Sequence, residues 1–387
     1  MENHVLNVLA ITSLLLFLAK IFSSVLNKIF GKIKLDIPSV LIELGLGVTL
    51  SFASGPLGIE SDLKTLLSSD VIVSFSELGI LFLLFYVGLE TDFKQLAAVK
   101  KDAILVAVTG VILPVASALL VLSFISEIDF KHQSFLAAAL AATSIGITAR
   151  VLSDLGLLKS KSGQIILGAA VIDDILGIGL LTAVTIMVSE KNSQSLSVVG
   201  AKIGLFFGFV YVLRAFLLPK MMKFIENNDH KLVILISFCL FGSFLAQKLG
   251  LAAIIGAFTM GVALHNEKNM KLIHPIAETL SPIFFILIGA NIQLGDIQGE
   301  DIWLKTILLC LCAILGKFFS GFAARSSGID RTLMGIGMIP RGEVGLIFAS
   351  IGLSLGALKS SDYVSIIIMV AVTTFLTPLL LSIRAKK

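Results

Sequence analysis

Charge is scarce in this 387-residue chain: Asp, Glu, Lys and Arg make up 14% of it, where a soluble globular protein carries about 25%. No polar stretch is long enough to fold as a separate soluble domain, and none is of low complexity. Cysteine is nearly missing. Cys239, Cys310 and Cys312 sit inside apolar runs without disulfide or metal spacing, which leaves them the role of small hydrophobes. The five histidines, His4, His132, His230, His265 and His274, fall near the ends of apolar runs. That placement argues against haem or an intramembrane redox metal. No cleavable leader is evident, because the first apolar run is long enough to span and more spans follow it.

What is abundant is apolar surface. Hydrophobic residues reach 56% and the mean hydropathy is +1.00. A core of this size does not need so much, so lipid must be part of the solvent. The 33 glycines agree with this, since Gly is more frequent in membrane helices than in soluble ones. Spanning runs recur at about 4–27, 37–55, 73–90, 102–124, 133–155, 163–189, 196–213, 232–247, 250–265, 274–295, 302–324, 332–357 and 363–383. The gaps between these thirteen segments, taken alternately and counting the C-terminal tail and Lys305 at the edge of segment eleven, carry 19 and 6 Lys or Arg residues. A wrong count would scramble that alternation. The positive-inside rule then places the C-terminus in the cytoplasm and the N-terminus outside.

Segment three runs Glu77-Leu-Gly-Ile-Leu-Phe-Leu-Leu-Phe-Tyr-Val-Gly88, and segment ten runs Glu278-Thr-Leu-Ser-Pro-Ile-Phe-Phe-Ile-Leu-Ile-Gly289. The offset is seven segments, an odd number, so related units would lie in opposite orientations. Two inverted repeats of six helices around one linker helix account for all thirteen, and such repeats mark secondary transporters.

Charge inside a span is costly and is by default a functional signal. Asp173 and Asp174 lie adjacent in the middle of segment six. Neighbours on a helix point about 100° apart, so one carboxylate can hold a fixed countercharge while the other binds a mobile ion. Lys317, flanked by apolar residues in segment eleven, is too deep to snorkel and is expected to partner Asp173 or Asp174. Segment five contains Ala142-Thr-Ser-Ile-Gly-Ile-Thr-Ala-Arg150, and segment twelve contains Gly335-Ile-Gly-Met-Ile-Pro-Arg-Gly-Glu-Val-Gly345. Both read as interrupted helices, and they occupy equivalent places in the repeat. Paired broken helices at the membrane midplane point to a transporter binding site. Their free carbonyls, with the Thr143 and Ser144 hydroxyls, offer hard oxygen ligands. Arg341, Glu343 or Lys317 would offset the half-helix dipoles. Gly200, Gly204 and Gly208 in segment seven read as a face for close helix packing. Adjacent aspartates do not suit an intramembrane aspartyl protease, and nothing looks like a carbonyl selectivity filter.

With these motifs the chain resembles the cation/proton antiporter-2 family, particularly its NapA-like sodium/proton antiporters. The resemblance covers essentially the whole chain. It rests on Leu81-Phe-Leu-Leu-Phe-Tyr-Val-Gly-Leu-Glu-Thr-Asp92, the two interrupted stretches, Ala170-Val-Ile-Asp-Asp174, Gly316-Lys317 and Pro340-Arg-Gly-Glu343. It implies an all-α polytopic protein of the NhaA-like antiporter fold, with two crossed broken helices in a mobile core. It also implies a homodimer, with Asp174 as the ion-binding carboxylate and Asp173 as the partner of Lys317. The glutathione-gated potassium-efflux relatives usually carry Gln-Asp at this pair and a C-terminal nucleotide-binding domain, and electroneutral relatives commonly carry Asn-Asp. The expected organisation is dimerisation domain 1–92 and 214–295, core domain 100–190 and 302–387, and linker helix 196–213. The expected function is sodium/proton antiport at the inner membrane of a bacterium, electrogenic at two protons per sodium. Sodium would bind at Asp174 and Asp173, with no cofactor, no enzyme activity and no nucleic-acid partner. Potassium/proton antiport and a passive cation channel are the alternatives.

Overall fold

The computed structural model describes residues 39–54, 65, 67–125, 129–188, 196–218, 221, 228–290 and 300–385, together with Ser13, Phe17, Lys20 and Ile21. Expected segment one lies outside the described residues except at those four positions. The described residues are helical throughout their regular structure. The first elements are α1 (Ser39–Ser54), α2 (Asp70–Glu90), α3 (Phe93–Ala98), α4 (Lys100–Ile125), α5 (Phe130–Ala139), α6 (Ile145–Asp154) and α7 (Lys161–Val188). There follow α8 (Leu196–Val212), α9 (Asn228–Lys248), α10 (Ala253–Ala263), α11 (Glu267–Ala290), α12 (Glu300–Ser320), α13 (Arg331–Gly337), α14 (Glu343–Ser354) and α15 (Ser360–Ala385). Among the described residues, eight helical stretches are long and apolar enough to cross a membrane, and Ser39–Phe52 and Ala253–Ala263 are shorter apolar helices. With no water in a bilayer core to satisfy the backbone, helices that close their own hydrogen bonds are the expected answer to such a sequence. Large apolar side chains such as Phe124, Leu205, Phe216 and Phe319 lie on the outer surface, which suits lipid and not water.

The helices pack in two groups. In one, α11 lies against both α1 and α2, and α10 lies against α2 and α9. In the other, α4 packs on α12 and α7, α15 packs on α12, and the short pairs α5–α6 and α13–α14 thread between them. Contact within the first group depends on missing side chains. A Cβ on Gly88 would overlap the Phe258 carbonyl and one on Gly261 the Phe85 carbonyl, so α2 and α10 cross backbone to backbone. Gly47 and Gly289 make the same kind of crossing between α1 and α11. Close approach through small residues is how membrane helices gain packing energy when hydrophobicity gives no preference for protein over lipid.

Gly200, Gly204 and Gly208, expected to form a packing face, meet no helix among the described residues: a Cβ at any of them would find nothing within 4 Å. The four-residue spacing is real, but the tight crossings are made by other glycines. The linker segment also ends differently from expectation, in a π-helical turn at Leu213–Leu217.

Two short helices begin alike. Asp129 begins α5 by accepting from His132 N, and Asp330 begins α13 by accepting from Leu333 N. These aspartates are 201 residues apart, the same separation as Glu77 and Glu278. Gly261→Leu is expected to destabilise by about 1–3 kcal/mol, the usual cost of overpacking, whereas Gly204→Ala should be neutral or slightly stabilising. Thermal unfolding in detergent checks both, and equal effects would contradict the assigned crossings.

Candidate functional site

Two interrupted helices meet in the second packing group. The chain leaves α5 at Ala139, passes through residues 140–144 and enters α6 at Ile145; it leaves α13 at Gly337 and enters α14 at Glu343. The breaks stitch to each other. Ser144 N donates to Pro340 O at 2.8 Å, the Thr143 hydroxyl to Met338 O at 3.1 Å and the Thr148 hydroxyl to Gly337 O at 2.7 Å. A helix end leaves four backbone groups without intrahelical partners, and each break supplies part of what the other lacks. Arg341 completes the exchange. It is fully buried, and its Nη1 donates to Ala142 O at 2.6 Å and to Ala141 O at 3.3 Å. A positive charge thus sits on the carbonyl end of α5, where the helix dipole is negative. On the opposite side the Thr374 hydroxyl donates to Arg341 O at 2.6 Å.

Both expected hydroxyls are therefore at the crossing, in different states. Thr143 uses its proton on Met338 O, while the buried Ser144 Oγ has no hydrogen-bond partner among the described residues. Gly342 lets the chains approach here, since a Cβ there would press on the Ser144 side chain. The Glu343 side chain lies outside the described residues; its backbone opens α14.

Helix α7 brings the acids to this crossing. Asp173 and Asp174 are buried midway along it, and Gly177, one turn on, faces the Ala142 side chain. Lys317 Nζ on α12 donates to Asp173 Oδ1 at 2.6 Å, with both side chains at 0% exposure. Of the two acids that the sequence left open, Asp173 is thus the lysine's ion-pair partner. Arg341 is within electrostatic reach of both Asp173 and Lys317. Room for the lysine comes from Gly110 on α4, where a Cβ would lie 3.4 Å from Lys317 Nζ. The four charges cancel formally, yet Asp173 Oδ2 and Arg341 Nε and Nη2 keep unused hydrogen-bonding capacity among the described residues. Asp174, 2% exposed, completes the group from the next position on the helix.

A cavity of about 720 Å³ lies between the two packing groups and is lined by Glu77, Ile178, Ser243, Gln247, Val344 and Phe348 among others. Ile178 is one helical turn past Asp174, and Val344 is at the start of α14. The cavity thus reaches the neighbourhood of both.

A second buried ionic cluster, of Glu43, Arg150, Asp154 and Glu278, has no counterpart in the sequence analysis. Arg150 on α6 is 2% exposed and pairs with Glu278 at 2.8 Å, Asp154 at 3.2 Å and Glu43 at 4.0 Å. It also donates to the hydroxyls of Ser39, at 2.8 Å, and Ser281, at 3.2 Å. This ties the second half of one broken helix to α1 and α11 in the other packing group. The only local signal was the four-residue spacing of Arg150 and Asp154; the partners from α1 and α11 are over 100 positions away.

Lys317→Ala is expected to cost about 3–5 kcal/mol of stability, because it strands Asp173 as a buried charge. Adding Asp173→Asn should recover much of the loss. Unfolding measured on the double-mutant cycle checks this, and additive losses would mean that the pair is not coupled.

Residues 13–387 match the family described as "Sodium/hydrogen exchanger, transmembrane". The chain is 35% identical to the high-affinity Na⁺/H⁺ antiporter NhaS3 of Synechocystis sp., over 96% of its own length and 89% of that protein. It is 34% identical to the Na⁺/H⁺-K⁺ antiporter GerN of Bacillus cereus, over 89% of each. Its fold is similar to that of the sodium proton antiporter MjNhaP1 from Methanocaldococcus jannaschii, with a TM-score of 0.67, 16% identity and 99% coverage of both chains. Crossed broken helices, a buried lysine–aspartate pair and a second acid beside it are thus held by a multi-pass membrane protein that belongs to the sodium/hydrogen exchanger family.

Proposed function

We propose that this chain exchanges Na⁺ for protons by alternating access, with Asp174 as the group that carries either ion. The observation behind this reading is the division of labour on α7: Asp173 is already paired with Lys317, and Asp174 lies beside it near the broken-helix crossing. Sodium, the cargo, would take oxygens from Asp174 and Asp173. Ser144 Oγ and free carbonyls of the crossing would complete the shell with hard oxygen donors of the type that broken helices supply. An empty, ionised site is costly to move through a low-dielectric barrier. The moving core therefore crosses when Asp174 holds a proton or a cation, and this couples the two flows.

The moving core is 100–190 with 302–387. The remainder, 1–92 and 214–295, is the scaffold, joined to the core through 196–213. The cavity that reaches Ile178 gives access from the side assigned to the exterior, while the Arg150 cluster joins core to scaffold on the lysine-rich side. Crossing requires that cluster to open. The protein forms a homodimer through the first three segments and those around 196–265. It lies in a bacterial inner membrane with its C-terminus in the cytoplasm. Potassium is the second candidate cargo, because GerN is named for both ions.

The exchange is electrogenic. With a proton on Asp174, the Asp173–Lys317 pair sums to zero. With Na⁺ bound, Asp173 turns to the cation and Lys317, left alone in a dry site, releases its proton. Two carboxylates, one cation and a neutral lysine sum to −1, and Arg341 contributes equally to both states. One elementary charge then crosses per cycle, so the potential drives it at about 2.3 kcal/mol per 100 mV.

Asp174→Asn is expected to remain folded and to abolish sodium-dependent proton flux in proteoliposomes titrated separately with Na⁺, Li⁺ and K⁺. Wild-type flux in that variant removes Asp174 from the mechanism, and flux indifferent to the pH gradient indicates a channel. On a solid-supported membrane the wild type should give Na⁺-dependent charge displacement. Exchange without displacement would contradict the stoichiometry while leaving the site in place.

A further inference from the structure

The π-helical turn that closes α8 places Arg214 where two cavities meet. One, about 490 Å³, is lined by Arg214, Lys231, His265, Asn266, Lys268 and Asn269 together with three apolar residues. Among the described residues, every charged one in that lining is basic. The other, about 510 Å³, shares Arg214 and Ala263 with the first and runs along apolar side chains including Leu96, Val171, Ile172, Phe207 and Phe258. Both volumes fall in the ~300–1,000 Å³ range of small-molecule sites. The pair combines a cationic mouth with an apolar tail, at the chain positions that the lysine and arginine asymmetry assigns to the cytoplasmic face.

The mouth is held in shape. Asn266 Oδ1 accepts from Lys268 N at 2.9 Å and so caps α11, and buried Asn269 donates to Leu264 O at 3.0 Å. His265 Nδ1 is 2.7 Å from Leu89 O, so in the tautomer that donates there its Nε2 remains available. The start of α11, 24 residues long, adds its positive dipole end. Acids adjoin the mouth through His265, which lines both pockets: Glu90, Asp92 and Glu267 line the neighbouring one with Lys159, and Asp92 attracts Arg214 from there. In the tail, Gly208 has nothing within 4 Å of its missing Cβ, so this glycine keeps the cleft open.

We propose that these joined cavities bind one anionic phospholipid, its phosphate among Arg214, Lys231 and Lys268 and an acyl chain in the apolar cleft. Charge complementarity selects the headgroup, since basic pockets between helices on the cytoplasmic side hold anionic lipids. The contiguous apolar cleft selects a lipid over a free anion. The chain would lie against Val171 and Ile172, the residues just before Asp173, and against α8 and α10. It would therefore occupy the seam between the core and the rest of the protein. The site stands independently of the transport reading.

The test uses the full chain, purified, delipidated and examined by native mass spectrometry with phosphatidylglycerol or phosphatidylcholine of identical chains. Phosphatidylglycerol should be retained preferentially, and Lys231→Gln and Lys268→Gln should each lower its retention about five-fold. Gly208→Leu, which has space for the added side chain, should also lower retention with every cation still present. Inorganic phosphate at the same concentration should not compete. Should a variant misfold, photo-crosslinking of wild-type protein with a phosphatidylglycerol carrying a diazirine in its chain should label Phe207, Val171 or Phe258. Equal retention of the two lipids, displacement by inorganic phosphate, retention unaffected by Gly208→Leu, or crosslinks that join two protomers at this cleft in place of lipid would overturn the assignment.

Discussion

A lysine and an aspartate in contact at 2.6 Å, with no solvent on either, set the terms for the rest of this fold. Neither ion can be buried alone without a penalty of several kcal/mol, and the pair recovers that penalty only if its surroundings hold it in register. The fold complies. Gly110 leaves space beside the lysine, α12 and α4 pack closely where Gly316 meets Pro114, and Arg341 adds a fixed charge from the broken-helix crossing. Given such a pair, a second carboxylate one position along α7 becomes the group whose state can change at small structural cost.

The broken helices serve the same constraint. Continuous helices would satisfy their own backbones and leave nothing for a cation. Interrupting both at the same level frees carbonyls and amides, and crossing them lets each interruption satisfy much of the other. What remains is a small surplus of oxygen, with Ser144 Oγ and Asp173 Oδ2 among it. That surplus is the chemistry a weakly bound, hard monovalent cation requires. The Arg150 cluster is the counterpart between packing groups: strong enough to join α6 to α1 and α11, yet made of charges that water can take over when they separate.

Much of this was legible in the sequence because lipid restricts what a chain can do. Apolar runs marked the described helices to within a few residues at most ends, and glycine with proline at 335–345 marked a break that is there. The Asp173–Asp174 and Lys317 signals were legible because charge in a span is rare. What stayed hidden depends on contacts distant in the chain. Nothing local says that Arg150 finds Glu43 and Glu278; that Lys317 takes Asp173 followed from the family resemblance and not from the residues alone. The small-residue spacing of Gly200, Gly204 and Gly208 meets no helix among the described residues, because spacing reports a smooth face and not what lies on it. Gly88 and Gly261, with no such pattern between them, make the close crossing.

The central claim is that Na⁺ and protons compete for one carboxylate whose neighbour is bound to a lysine. Proton release on Na⁺ binding, followed with a pH indicator in weakly buffered, detergent-solubilised protein, tests it without transport. The account predicts two protons released per Na⁺ bound, one from Asp174 and one from Lys317. Saturable Na⁺ binding with no proton release at any pH would contradict it.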